Sequence, residues 1–121
     1  MDIPLFDPSD APRPPGEVRF RSLVAEPYPD GRRIRLKLSI TPFLERPNIE
    51  IELRDPQGLE SGAVAVIESM DSTLSMTLHL RDDPQSGDYR AVAKLGYPDH
   101  GTVDAAEVAF TLPRPPSETA G

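Results

Sequence analysis

The side chains that could take part in catalysis are few and scattered along this chain. It contains two histidines, His79 and His100, and no cysteine, so thiolate nucleophiles, thiolate metal sites and disulfides are excluded. Its serines and acidic residues fall outside any nucleophile elbow, paired-histidine metal motif or glycine-rich phosphate loop. The sequence therefore predicts no catalytic residue, no enzyme activity and no cofactor.

Large apolar side chains occur in segments 42–47, 69–72 and 97–102, which we expect to be loops at one end of the domain. Apolar and aromatic anchors dominate interface energetics, so these loops are a candidate partner-binding surface. Its predicted contact residues are Phe43, Leu44, Met70, Tyr97 and His100. The alternative is that Phe43, Leu44 and Tyr97 fold inward and cap the core.

A second candidate surface is a stripe of basic side chains, Arg33, Arg35 and Lys37, at alternate positions of one stretch. The same outer face is predicted to hold also Arg19, Arg21, His79 and Arg81. Such a face could dock an acidic protein, nucleic acid or the acidic end of another copy; the alternative is a solubilising exterior that discourages aggregation. Because the net charge is −7, non-specific nucleic-acid binding is disfavoured, and we expect a protein partner of unknown identity.

Acidic residues gather in the loops expected at the opposite end of the domain. They are Glu26, Asp30, Asp55, Glu60, Asp82, Asp83 and Asp88. Calcium prefers several carboxylate or carbonyl oxygens at once, so this end is a candidate calcium site. No spaced calcium-loop motif is present, and the alternative is an acidic, solvated end that binds no metal.

The element that positions the basic stripe is Arg32–Thr41, in which charged and apolar side chains alternate without a break. Alternation is typical of a β-strand with one buried face. Similar short patterns, separated by proline- and glycine-containing turns, predict seven strands and no helix. The predicted strands are Glu17–Ala25, Arg32–Thr41, Asn48–Arg54, Ala63–Glu68, Thr73–Arg81, Asp88–Gly96 and Val103–Leu112. Leu23 and Val103 break the alternation of their strands, which predicts a bulge near Ser22 and another in the last strand.

Proline-rich segments flank the predicted strands at both ends. Residues 1–16 and 113–121 are expected to be disordered arms, leaving 17–112 as one all-β domain. Pro12-Arg-Pro-Pro15 and Pro113-Arg-Pro-Pro116 have the spacing that proline-recognising domains bind. The N-terminus lacks a signal-peptide pattern and no segment could span a membrane, so we expect a cytoplasmic location without membrane contact.

The element Ser86-Gly-Asp-Tyr89 resembles the start of strand F in immunoglobulin-like and fibronectin III-like domains. The resemblance implies an antiparallel, seven-stranded, immunoglobulin-like β-sandwich in which Tyr89 bonds back to the chain just before it. The chain departs from antibody domains because Ala91 stands where those carry a disulfide cysteine, and it has no tryptophan.

These observations favour a non-enzymatic interaction or adaptor module that binds another protein through its loop tips or a sheet face. The alternative is an accessory module that holds a carbohydrate or a calcium ion, although a chain with three tyrosines and no tryptophan offers few aromatic platforms for sugars. Unpaired edge strands also offer a route to a homodimer.

Overall fold

Alternating side chains form seven β-strands, as predicted, in the computed structural model, which describes residues 11–81 and 87–112. The strands are β1 (Phe20–Pro27), β2 (Arg33–Ile40), β3 (Asn48–Arg54), β4 (Glu60–Val66), β5 (Thr73–His79), β6 (Asp88–Tyr97) and β7 (Gly101–Thr111). A short 3-10 helix, Pro15–Glu17, precedes β1. No helix in the part of the chain that the structure describes is long and apolar enough to cross a membrane.

The strands form two antiparallel sheets that pack face to face. One has three strands in the order β1-β2-β5, and the other has four in the order β4-β3-β6-β7. The all-β sandwich is therefore confirmed, as is the prediction that the first, second and fifth strands share a sheet.

The core lies between the two sheets. The inward side chains of β2, Ile34, Leu36, Leu38 and Ile40, are all at most 1% exposed. They belong to the same buried cluster as the inward side chains of β3 and β6, which are Ile49, Ile51, Leu53, Ala91, Ala93 and Leu95. Fully burying an Ile or Leu side chain contributes about 1.5–3 kcal/mol to the free energy of unfolding. The inward side chains of β2, β3 and β6 therefore supply much of the hydrophobic stabilisation.

Both predicted bulges are present, and each inserts one extra residue into an edge strand. In β1, Phe20 pairs with Ile40 and Ser22 with Ser39, so Arg21 is the extra residue. In β7 the register shifts at Val103, and the Asp104 carboxylate accepts a hydrogen bond from Phe20 N at 2.8 Å. This bond joins the edges of the two sheets.

The N-terminal segment contacts the sandwich before β1 begins. Arg13 N donates to Pro42 O, and Leu44 N donates to Arg13 O, both at 2.9 Å. Pro15 is buried, and the 3-10 helix makes β1 begin at Phe20 rather than at Glu17. Residues 11–16, expected to belong to a disordered arm, thus hold defined backbone contacts. Residues 1–10 and 113–121, including Pro113-Arg-Pro-Pro116, lie outside the described residues.

Candidate functional site

Three connections meet at one end of the sandwich, which we call the loop tip: residues 41–47, 67–72 and 98–100. Ser69 N donates to Pro47 O at 2.8 Å, joining the second connection to the first. The Tyr97 hydroxyl donates to Glu45 O at 2.9 Å, joining the β6–β7 turn to the first connection. The connections are therefore fixed to one another, as a preformed binding surface requires.

A pocket of 420 Å³ opens at the loop tip, and we call it the tip pocket. Residues of all three connections line it, and most of them have charged or polar side chains: Glu45, Arg46, Glu68, Tyr97, Pro98, Asp99 and His100. The His100 ring lies edge-on to the Tyr97 ring, with centroids 6.0 Å apart. Burial, and then the negative charge of Glu45, raise the pKa of Tyr97, so its hydroxyl stays protonated and holds its bond to Glu45 O.

A second, smaller hollow lies on the other side of Tyr97 and Pro98, over the outer face of the four-stranded sheet. It has a volume of 180 Å³ and includes Asn48, Glu50, Lys94 and Thr102. Gly96 lets the two strands of the turn approach closely beside it, because a Cβ there would lie 2.8 Å from Gly101 O. Both pockets include Tyr97 and Pro98 in their linings. The carboxylate, amide, ammonium and hydroxyl groups of the second pocket can hydrogen-bond a polyhydroxylated ligand.

The predicted apolar contact residues of the loop tip separate into two groups. Tyr97 is 6% exposed and belongs to the core cluster, and Phe43 packs against that cluster. Leu44 and Met70 are 66% and 73% exposed. Ile67, which sequence reasoning placed inside a strand, is 67% exposed just after β4 ends. A strand end cannot be located from alternation alone, so its exposure was not predicted.

The basic stripe of β2 faces outward, but local partners balance most of its charge. Arg33 pairs with Asp30 at 2.8 Å, and Lys37 pairs with Glu26 at 3.1 Å. The Arg35 guanidinium donates to the Tyr28 hydroxyl, and the Arg33 guanidinium lies 4.3 Å from the centroid of the Tyr28 ring. Tyr28, which the sequence indicates only as part of a turn, therefore contacts both Arg33 and Arg35 on this surface.

Two of the other basic residues expected on this face point elsewhere. Arg19 donates to the carbonyls of Gly16 and Val18, both at 2.9 Å. Arg81 pairs with Glu60 of the other sheet at 2.6 Å. The face is consequently less basic than the strand assignments suggested.

The acidic residues expected at the opposite end are largely engaged. The Asp55 carboxylate accepts hydrogen bonds from Gln57 N and Leu59 N, both at 2.9 Å, and so closes the β3–β4 turn. Asp88 accepts a hydrogen bond from the Thr111 hydroxyl. Within residues 11–81 and 87–112, no group of three or more His, Cys, Asp and Glu residues could hold a metal ion. Asp82 and Asp83 lie outside those residues.

Tyr89, which carries the immunoglobulin-like resemblance, is buried at the start of β6. Its ring stacks on Phe110 with centroids 5.6 Å apart. The expected hydrogen-bond partner of a tyrosine corner lies a few residues upstream, and residues 82–86 are outside those that the structure describes.

Comparisons with known proteins identify the fold. No family model matches the chain, and no curated protein does. A β-glucuronidase from Bifidobacterium dentium, solved with coumarin-3-O-glucuronide, matches with a TM-score of 0.63 and 16% identity over 80% of this chain and 18% of its own.

Two further solved structures give similar matches. A glycosyl hydrolase family 2 member from Bacteroides cellulosilyticus matches at a TM-score of 0.57 and 12% identity, over 78% of this chain and 14% of its own. A β-glucuronidase from Ruminococcus gnavus, in complex with D-glucuronic acid, matches with a TM-score of 0.55 and 14% identity, over 81% of this chain and 16% of its own. The chain thus spans less than a fifth of the length of these proteins, and what it shares with them is a β-sandwich.

Proposed function

We propose that this chain is a non-catalytic accessory module of a carbohydrate-processing protein and that its tip pocket binds a neutral saccharide. The observation that carries the proposal is the match of 78–81% of the chain to a 14–18% portion of chains that are named as glycosidases. The match supports the accessory, ligand-binding role over the adaptor role. It gives no support for hydrolysis by this chain, because most of each glycosidase has no counterpart in it.

The finer fold type forms part of the proposal. Strand β4 pairs with β3, whereas in constant-type immunoglobulin domains the fourth strand joins the sheet of the first, second and fifth. The order β1-β2-β5 and β4-β3-β6-β7 therefore supports a fibronectin III-like variant of the immunoglobulin-like sandwich.

The chemistry of the tip pocket supports a saccharide that is neutral. Carboxylates, a guanidinium and an imidazole from three connections can bond vicinal hydroxyls, while Pro98 offers an apolar surface. Three carboxylates, those of Glu45, Glu68 and Asp99, outnumber Arg46 and His100, so the pocket repels an anionic sugar. Because the described pocket exposes no large aromatic face, we expect weak binding, with a Kd of about 1 mM.

The test uses the two histidines as reporters, because His100 lines the pocket and His79 is exposed on the first sheet. Neutral mono- and oligosaccharides are titrated into the labelled full chain while its imidazole and amide NMR signals are recorded. We expect the signals of His100 and Asp99 to shift with a saturating dependence and those of His79 to stay in place. Glucuronic acid is expected to cause smaller shifts at the same concentration.

Alanine variants supply the matched control. His100→Ala and Arg46→Ala should each weaken the shift of Asp99 at least several-fold, whereas His79→Ala should leave it unchanged. If no neutral saccharide moves the pocket signals, or if His79→Ala has the same effect as His100→Ala, the proposed saccharide site is wrong.

A second function, protein binding by the loop tip, is favoured by the exposure of Leu44 and Met70. The variant that tests it is Leu44→Ser/Met70→Ser, since truncating Tyr97 or Phe43 would disturb the core. A stoichiometric partner that is captured by the wild type and lost with this variant, at an unchanged melting temperature, would support the adaptor role. Capture by both proteins would exclude the loop tip as the contact.

A further inference from the structure

One side of the β4 backbone is available for hydrogen bonds with another strand. β4 is an edge strand of the four-stranded sheet and pairs with β3. Its first residues are covered by the other sheet, because Arg81 N donates to Ser61 O at 2.9 Å and Gly62 packs against the His79 carbonyl. From Ala63 onward, its hydrogen-bonded strand partners in the described chain all lie on β3, so the outward-directed backbone groups of 63–66 remain open.

The sequence of this edge lacks the features that prevent strands from pairing with other molecules. Residues 61–67, Ser-Gly-Ala-Val-Ala-Val-Ile, include no charged residue and no proline, in a chain that is 27% charged. Edges are normally protected by charges, proline or bulges. β4 has a bulge of its own at Ser61, but this bulge precedes residues 63–67. β1 and β7 also carry bulges, and they are joined by the bond from Phe20 to Asp104. β5 presents the hydroxyls of Thr73, Ser75 and Thr77 on its exposed side.

The surface around β4 is complementary to itself. A shallow groove of 230 Å³ runs over its outer face, lined by Glu50, Ile51, Glu52, Ala63, Val64 and Ala65. Beside it, Ile67 projects with 67% of its surface exposed. A two-fold interface must contain both a projection and its matching hollow on the same patch, and this patch contains both.

We propose that two copies of this chain pair through antiparallel β4 segments, Ala63–Ile67, with Ala65 opposite Ala65 across the two-fold axis. In this register Ile67 of each copy falls opposite Ala63 of the other, next to the groove, and Val64 falls opposite Val66. The two four-stranded sheets become one continuous sheet of eight. The register avoids Ser61 and Gly62, whose edge the other sheet already covers.

The paired segment is uncharged, and the acids that flank it in sequence are Glu60, which pairs with Arg81, and Glu68. The nearest outward acids on β3 are Glu50, which pairs in register with Lys94, and Glu52, which pairs with Arg54. The β3 strands of the two copies are three strand spacings apart, about 14 Å, which exceeds the screening length of about 8 Å at physiological ionic strength. A five-residue pairing buries less than the roughly 1,200 Å² of standard interfaces, so the dimer is weak and depends on concentration.

Single-cysteine variants test the register, because the wild-type chain has no cysteine. Directly opposed residues of antiparallel strands have Cα atoms about 4.5–5.5 Å apart, within the range that a disulfide bridges. We expect Ala65→Cys to form at least about tenfold more covalent dimer on mild oxidation than Ser75→Cys, the matched control on β5. An equimolar mixture of Ala63→Cys and Ile67→Cys should form the mixed dimer in preference to either self-linked one.

Sedimentation velocity of the full-length wild type should show a concentration-dependent dimer, and Ala65→Lys should remain monomeric with an unchanged circular dichroism spectrum. If the wild type stays monomeric up to about 1 mM, the proposed pairing is wrong. Cross-linking of Ser75→Cys as efficient as that of Ala65→Cys would place the contact on the other edge. Self-linking of Ala63→Cys above that of Ala65→Cys would reject this register.

Discussion

Tyr28 and Tyr97 are residues of one type in opposite environments. The Tyr28 hydroxyl shares a hydrogen bond with Thr77 and accepts one from Arg35. These two bonds, in that order, lower the pKa of Tyr28 below its usual value, whereas burial raises the pKa of Tyr97. Folding therefore favours the ionised form of Tyr28 and disfavours the ionised form of Tyr97.

This difference predicts a broad tyrosine titration. Tyr28 contributes stability above its unfolded pKa of about 10, and that contribution is lost as the pH falls through its lower folded pKa. Tyr97 has the opposite sign: its contribution is present below its unfolded pKa and is lost as the pH rises through the folded value. With three tyrosines and no tryptophan, tyrosinate absorbance reports these steps directly.

The measurement is an ultraviolet pH titration of the wild type and of two single variants, with circular dichroism as the check that the protein stays folded. Tyr28→Phe should remove absorbance change below the usual tyrosine range, and Tyr97→Phe should remove absorbance change above that range. Persistence of the absorbance change below the usual range in Tyr28→Phe would show that the network with Arg35 and Thr77 does not form in solution.

Among the elements, the β6–β7 hairpin decides the shape of the tip pocket. A Cβ at Gly96 would lie 2.8 Å from Gly101 O, closer than a real Cβ approaches a backbone atom. Gly101 itself has a φ of 68°, which favours glycine because a side chain is strained there. The turn is therefore tight, and Tyr97 to His100 are held between its two strands.

Gly96→Ala tests the role of this close approach. The added methyl group must displace backbone, so we expect the free energy of unfolding to fall by about 1–3 kcal/mol. Urea denaturation followed by circular dichroism measures the loss. Gly16→Ala is the matched control, because nothing lies within 4 Å of its added Cβ and we expect a change within about 0.5 kcal/mol. Equal losses in the two variants would contradict the contact with Gly101.

For the whole molecule, the distribution of charge matters more than its total. Seven acids were predicted to gather at one end, but three of them pair with basic side chains: Asp30 with Arg33, Glu26 with Lys37, and Glu60 with Arg81. These pairs are partly exposed, so each contributes at most about 1 kcal/mol, yet each also occupies a carboxylate.

We accordingly expect calcium to leave the melting temperature of the whole chain unchanged. Calorimetry in calcium chloride is compared with sodium chloride at equal ionic strength, because screening alone stabilises a protein of this net charge. A rise that appears with calcium and disappears on chelation would show that carboxylates beyond the described residues complete a site.

The fold was predictable because its main signal is local. The alternation in β2 placed Ile34, Leu36 and Leu38 in the core, and a break in alternation predicted the bulge in β7, which the structure places at Val103. The candidate site was less predictable. Of its predicted apolar residues, Leu44 and Met70 are exposed and Tyr97 is buried, since a loop sequence does not determine which side chains turn inward.

What the sequence by itself determined was the set of strands and the face that most of them bury, because side-chain alternation and turn residues act over a few positions. That β4 joins the sheet of β3 was decided by the tertiary structure. Only the tertiary structure decided which charges are balanced and where a pocket opens. Arg81 with Glu60, Tyr97 with Glu45 and Phe20 with Asp104 are pairs far apart in the chain. Their contacts arise when two sheets pack, and no local pattern encodes the distance between residues that belong to different strands.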